Sequence, residues 1–216
     1  QYNDGNSWIN TGTTTTVLTV PIVTVDMHGW RYQFVAQNEC GTALSNIATL
    51  YVNTLPVETL HPTNETVCAG ELSFVSFNAS ATGTPAPTYR WQQLVGAVWT
   101  NLYDNFSTIF GASTEELTIR NIPPGMNGNQ YRLVSTNTCA SVTGNVVTLT
   151  VLTPPVITGN PSNQTACINT NAVFTVNAAT GNLNWQAFNP ISLQFENITE
   201  GGIFSGVTTT RLTVNV

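Results

Sequence analysis

Two pairs of cysteines organise this chain before any other residue is read. Cys40 and Cys139 stand 99 residues apart, and so do Cys68 and Cys167. The same offset carries Met27 onto Met126, Gly29 onto Gly128, Tyr32 onto Tyr131, Pro62 onto Pro161 and Asn64 onto Asn163. Leu50-Tyr51-Val52 falls on Leu149-Thr150-Val151 in the same way. Agreement at so many positions is the mark of a tandem array, in which each repeat is one folding unit stacked on its neighbours. The 216 residues then divide into 1–53, the second half of one unit, 54–153, a complete unit, and 154–216, the first half of a third. Gln1 is expected to begin partway through a unit, so the chain reads as a piece of something longer. Trp91-Gln92 of the middle unit corresponds to Trp185-Gln186 of the last, and Leu117-Thr118-Ile119 to Leu212-Thr213-Val214. The junctions Thr54-Leu55-Pro56 and Thr153-Pro154-Pro155 are short and proline-stiffened, which restricts bending between neighbours.

Within a unit the apolar period is two, the period of a strand with one face in the core. Ala172, Phe174, Val176 and Ala178 alternate with Val173, Thr175 and Asn177; the middle unit has Ser73, Val75, Phe77 and Ala79. Tyr131 and Leu133 alternate with Arg132 and Val134, and Val147, Leu149 and Val151 with Thr148 and Thr150. Turn clusters separate these runs at Gly83-Thr84-Pro85, Pro123-Pro124-Gly125 and Thr143-Gly144-Asn145. Charged residues make up 7% of the chain and lysine is absent, so the usual stock of surface helix formers is missing. Many short strands in about 100 residues predict an all-β sandwich.

The order of these strands resembles an immunoglobulin-type domain. Tyr89-Arg90-Trp91-Gln92 places Trp91 where the core tryptophan of strand C belongs, and Asn129-Gln130-Tyr131-Arg132-Leu133 places Tyr131 where the tyrosine-corner residue of strand F belongs. Trp185 and Tyr32 are the corresponding core markers of the last and first units. Phe77 and Leu133 replace the usual core cysteines, so the central disulfide is absent. Thr66-Val67-Cys68-Ala69-Gly70, the Tyr-Arg-Trp strand, Gly125-Met126-Asn127-Gly128-Asn129-Gln130-Tyr131-Arg132 and Thr136-Asn137-Thr138-Cys139 are similar to the Ig-like repeats of giant secreted surface proteins in gliding and biofilm-forming Bacteroidota. The resemblance runs the length of the chain. It implies export to the outer cell surface and service as an adhesin, filament or stalk.

Four isolated cysteines suggest an oxidising, extracellular setting rather than a metal site, since His28 and His61 follow no ligand spacing. In an immunoglobulin topology Cys68 falls in the A–B turn at one pole and Cys139 in the F–G hairpin at the other, some ~40 Å apart, whereas a disulfide needs Cα atoms within about 7 Å. One pairing that fits joins the A–B cysteine of each unit to the F–G cysteine of the next, so that Cys40, Cys68, Cys139 and Cys167 would each find a partner outside this chain. An intradomain Cys68–Cys139 bond in a shifted register and free thiols are the alternatives.

Nothing in the pattern points to catalysis. His28 and His61 have no serine or carboxylate placed beside them by the sequence, and Glu115-Glu116 precedes a strand in which neighbours face opposite sides. Asp4-Gly5-Asn6 and Asp104-Asn105 read as turn chemistry rather than as calcium loops. Asn64, Asn78, Asn105, Asn163 and Asn197 open Asn-x-Ser/Thr triplets, which in a Thr/Asn-rich repeat carry little weight. The formal net charge of −6 argues against nucleic acid and anionic membrane surfaces, and no run is long enough for a membrane span. Trp8 and Trp99 occupy equivalent positions before the C′ region, where they would either stack on sugar rings or cover the sandwich core. The sequence thus predicts a non-enzymatic, cofactor-free extracellular repeat. Its partners would be neighbouring repeats, with surface polysaccharide or another cell-surface protein beyond them. A spacer or carbohydrate-binding module attached to a secreted enzyme is the alternative.

Overall fold

A computed structural model of the chain describes residues 1–178 and 181–215. The chain divides into two compact units, Gln1–Leu152 and Thr153–Val216. Strands dominate both, as the β-branched and aromatic content requires.

In the first unit, β1 (Tyr2–Asn3), β2 (Trp8–Ile9), β3 (Arg31–Tyr32) and β6 (Ala48–Thr49) form a sheet in the order β2-β1-β3-β6, while β4 (Val35–Asn38) and β5 (Gly41–Leu44) make a hairpin. The complete sandwich follows. Its first sheet holds β8 (Glu65–Cys68), β11 (Thr88–Val95), β12 (Val98–Asn101), β15 (Gln130–Thr136), β16 (Ser141–Thr143) and β17 (Val147–Leu152), in the order β12-β11-β15-β17-β8 with β16 on β15. The other side has β9 (Gly70–Asn78), β13 (Ile109–Phe110) and β14 (Glu116–Ile122) in the order β13-β14-β9, plus the ladder of β7 (Thr54–Leu60) with β10 (Ser80–Thr84). These are the C′-C-F-G-A′ and D-E-B sheets of an immunoglobulin-like sandwich, including the parallel A′–G pairing of Leu149 through Leu152 with Glu65 through Cys68.

The core forms between the sheets. Val75 and Phe77 of β9, Leu117, Ile119 and Ile122 of β14, Trp91 of β11, Tyr131 and Leu133 of β15, and Val147, Leu149 and Val151 of β17 are all buried. Phe77 lies 5.3 Å from the Tyr131 ring and 6.4 Å from Trp91, filling with an aromatic side chain the place a disulfide would take. Trp91 leaves no polar group stranded, because its indole N–H donates to the Thr114 carbonyl at 3.0 Å. Strand alternation alone would send Asn121 inward after Leu117 and Ile119. A bulge between Arg120 and Ile122, with Asn121 at φ 55°, shifts the phase and buries Ile122 instead.

Hydrogen bonds recur at corresponding positions of the first unit. Gly29 N–H donates to the Leu50 carbonyl and Gly128 N–H to that of Leu149, both at 2.8 Å. Val52 N–H reaches His28 Nδ1 at 3.1 Å, and Val151 N–H reaches Asn127 Oδ1 at 2.8 Å. His28 therefore accepts the backbone bond that an asparagine accepts in the complete sandwich.

The second unit holds β18 (Ile157–Gly159), β19 (Ala172–Thr175), β20 (Asn177–Ala178), β21 (Gln186–Asn189), β22 (Gln194–Asn197), β23 (Phe204–Ser205) and β24 (Arg211–Val214). Its pairings β18–β20, β19-β24-β23 and β21–β22 match β7–β10, β9-β14-β13 and β11–β12. Trp185 Nε1–H donates to the Thr209 carbonyl at 2.9 Å, as Trp91 does to Thr114. Only Val207 and Leu212 are buried among its described residues, so this core is more open.

Two expectations need correction. Trp99 lies within the C′ strand β12 rather than before it. His61 does have a carboxylate beside it: its Nδ1, just past the end of β7, is 2.9 Å from Oε2 of Glu58 three residues earlier.

Candidate functional site

Because Trp91 points into the core, its neighbours Arg90 and Gln92 must point outward from β11. The same logic turns Arg132 outward between Tyr131 and Leu133 on β15. Sheet register sets Gln92 opposite Asn101 on one side and Arg132 on the other. Arg132 Nε–H donates to Gln92 Oε1 at 2.8 Å, and Gln92 Nε2–H donates to Asn101 Oδ1 at 2.8 Å, a ladder crossing three strands. The Arg132 guanidinium sits 4.2 Å from the centre of the Trp99 ring. One row along, Arg90 lies 4.9 Å from the Tyr103 ring and donates through Nη1 to the Leu102 carbonyl at 3.1 Å. Ring quadrupole and guanidinium attract each other at these distances, holding each cation over an aromatic face.

Parts of this face recur. In the second unit Gln186 Nε2–H donates to Asn197 Oδ1 at 2.9 Å, the counterpart of the Gln92–Asn101 bond. In the 1–53 segment Gln33 Nε2–H donates to Gln1 Oε1 at 3.2 Å, in the place of Arg132 and Gln92. Trp8, Trp99 and Phe195 take the same register position on the C′ strands β2, β12 and β22. Trp8 is exposed, whereas one face of Trp99 is already covered by Arg132.

Among the described residues the sole ion pair is His61–Glu58, so neither Arg90 nor Arg132 has a carboxylate partner. Glu58 Oε2 takes that contact, while its Oε1 is buried with no hydrogen-bond donor. Elsewhere Asp104 and Glu200 accept backbone N–H groups. Asp104 Oδ1 accepts the Ala112 N–H at 2.7 Å, and Glu200 accepts the N–H groups of Gly206 and Val207, each at 2.9 Å. The bonds from Val207 and Gly206 favour the charged carboxylate and hold Glu200 below its ordinary pKa. Burial pushes the Tyr131 hydroxyl up, against a smaller opposing effect of the hydrogen bond from Asn129. No cluster of three or more His, Cys, Asp or Glu suited to a metal occurs among the described residues.

All four cysteines are exposed free thiols. Cys40 and Cys139 sit at hairpin tips, where Asn38 Oδ1 and Asn137 Oδ1 each accept the cysteine N–H at 2.9 Å. Cys68 ends β8 opposite Leu152, at the far end of the same sheet from Cys139. Roughly ten strand residues separate the two levels, about 30 Å at a strand's rise per residue. Trp91 and Tyr131 are core residues; Tyr32 and Trp185 are only half-buried. Sequence reasoning passed over Arg90, Gln92, Asn101, Tyr103 and Arg132. The available signal was strand alternation about Trp91 and Tyr131, which assigns their immediate neighbours to the outer face.

No family model matches the chain. Over 124 residues it is 40% identical to endoglucanase C of Cellulomonas fimi, an alignment covering 57% of this chain and 10% of that enzyme. The chain thus spans about a tenth of the curated relative it matches. Among solved structures it is similar to Sidekick-1 immunoglobulin domains 1–5, at 23% identity over 57% of this chain and 25% of that one, with a TM-score of 0.40. The tandem Ig repeats of Dlar align at 21% identity over 75% of this chain and 82% of that one, with a TM-score of 0.38. No helix is long and apolar enough to cross a membrane among the described residues.

Proposed function

We propose that this chain is a non-catalytic run of extracellular immunoglobulin-like repeats within a larger surface protein, acting as a stiff stalk that presents the same side-chain face once per repeat. The observation that supports this reading is the recurrence of the outer C–C′ face: Gln92–Asn101 repeated as Gln186–Asn197, with a C′ ring at Trp8, Trp99 and Phe195. A face repeated along a stalk converts weak contacts into avidity, because each further contact is intramolecular once the first is made. An adhesin or filament is the role such an arrangement suits, with neighbouring repeats as the first partners. The test is deletion of the repeats from the full-length protein. Loss of surface attachment with normal export supports an adhesive stalk, and unchanged attachment sinks it.

The similarity to part of endoglucanase C favours a second reading, a spacer or binding module carried by a secreted enzyme. The full-length sequence separates the two: a catalytic domain on the same chain favours the module, and a long series of repeats favours the stalk. Fold by itself does not choose between them.

A further inference from the structure

We infer that the outer face of the C′-C-F strands in the complete sandwich binds an anionic polysaccharide, with Arg90 and Arg132 reading its carboxylate or sulfate groups and Trp99 and Tyr103 flanking its sugar rings. This inference rests on the stalk reading for its location at the cell exterior, but its chemistry stands on the site alone.

Charge sets this face apart. The chain has five arginines and no lysine against eleven acidic residues, so most of its surface repels anions. Two of those arginines nonetheless share one sheet face, and no carboxylate pairs with either among the described residues. Arg132 makes one hydrogen bond to the protein through Nε, and Arg90 makes one through Nη1. A guanidinium carries five N–H donors, so most of each fork remains for a ligand. Stacking on Trp99 and Tyr103 fixes the orientation of the forks, which lowers the ordering cost of binding. Arg90 and Gln92 are two residues apart on one strand, so the Arg90 row and the Arg132 row are separated by about 7 Å. Two anion-reading positions at that spacing suit a polymer with repeated charges better than a single small anion.

The middle of the face distinguishes a glycan from a protein partner. Protein interfaces place their most apolar, charge-poor area at the centre of the patch. Here the centre is the Arg132–Gln92–Asn101 ladder. Its amides offer both donors and acceptors, as sugar hydroxyls require, and the rings lie at the margin.

The test is calorimetric titration of the whole chain at low salt with polygalacturonate oligomers and, separately, with dextran sulfate. Methyl-esterified oligomers serve as the neutral control and polyglutamate as the acidic peptide. Binding of either polysaccharide, weakened by added salt and abolished by esterification, is the expected result; the better ligand identifies the anion. Arg90→Gln and Arg132→Gln should each weaken binding by about tenfold, the usual effect of losing one charge-assisted hydrogen bond. Arg132→Gln installs the residue that Gln33 supplies in the 1–53 segment, and both sites face outward, so unchanged thermal unfolding verifies that the variants fold. Equal binding of the neutral ester, equal binding of polyglutamate, indifference to both substitutions, or no binding at all would each overturn the inference. Absence of binding together with loss of attachment on repeat deletion sinks the glycan site and leaves the stalk standing.

Discussion

Asn53 donates its side-chain amide to Thr138 Oγ1 at 3.3 Å, tying the end of the 1–53 segment to the F–G hairpin of the complete sandwich. Beside it, Asn137 Nδ2–H donates to the carbonyls of Thr54 at 2.8 Å and Pro85 at 3.0 Å. The contact matters because Thr138 is followed by Cys139, and Asn53 stands 99 residues before Leu152, the residue that faces Cys68 across the A′–G ladder.

A thiol introduced by Asn53→Cys should therefore reach Cys139. Under mild oxidation the variant is expected to form a disulfide between the new thiol and Cys139, visible in a non-reducing peptide map. In the unsubstituted chain Cys68 and Cys139 should remain unlinked to each other, since they lie at opposite ends of the sheet. A Cys68–Cys139 peptide would show that this strand register is wrong. Failure of the new thiol to couple would show that the two segments do not meet at Thr138, and would remove the geometric basis for disulfide lacing between successive repeats.

The Trp91 side chain should be the largest single contributor to the sandwich. It is fully buried against Phe77 of the facing sheet, and its indole N–H satisfies the Thr114 carbonyl. Trp91→Ala leaves a large cavity and an unpaired carbonyl, for an expected loss of about 3–5 kcal/mol in denaturant unfolding. Trp185→Ala should cost less, because Trp185 is only half-buried. Equal losses at the two sites would contradict the difference in core closure.

Alkaline pH should loosen the complete sandwich through Tyr131. Burial raises its pKa in the fold above the ordinary value of 10.0, so the folded state keeps a proton that the unfolded state releases. Stability from this group is fully present below about pH 10 and falls as pH rises from the unfolded pKa through the folded one. Tyr131→Phe should flatten that fall. The check is the unfolding midpoint of both proteins from about pH 8 to about pH 11, a window spanning the ordinary tyrosine pKa. Flat profiles for both would count against the prediction.

Gly111 and Gly206 should resist replacement for a reason Gly29 does not share. All three have positive φ, at 74°, 78° and 84°. A Cβ on Gly111 would collide with the Glu116 carbonyl oxygen, and one on Gly206 with that of Arg211, whereas nothing lies near Gly29. Gly29→Ala should cost about 1–2 kcal/mol, the left-handed strain alone. Gly111→Ala should cost more, because the obstructing atom belongs to the backbone. Thermal melts of the two variants should separate clearly, and matching melts would refute the close approach.

Local chemistry made much of this protein legible. Alternation of apolar residues identified Phe77, Tyr131 and Leu133 as inward-facing, because a strand permits each side chain only one of two faces. The resemblance of the segments around Trp91, Leu117 and Tyr131 to an immunoglobulin-type domain pointed to that sandwich, and its topology placed Cys139 in the F–G hairpin. Other features depended on atoms distant in the chain. The bulge at Asn121 buries Ile122 against simple alternation because its partner strand β9 sets the phase. The Glu58–His61 pair forms only where β7 ends. The stacking of Arg132 on Trp99 and its bond to Gln92 require β12, β11 and β15 to lie side by side in one register. Periodicity determined which face each of those residues takes. Only the pairing of the strands decided which residues meet on that face, since register between distant segments is a property of the assembled sheet and is written in no single strand.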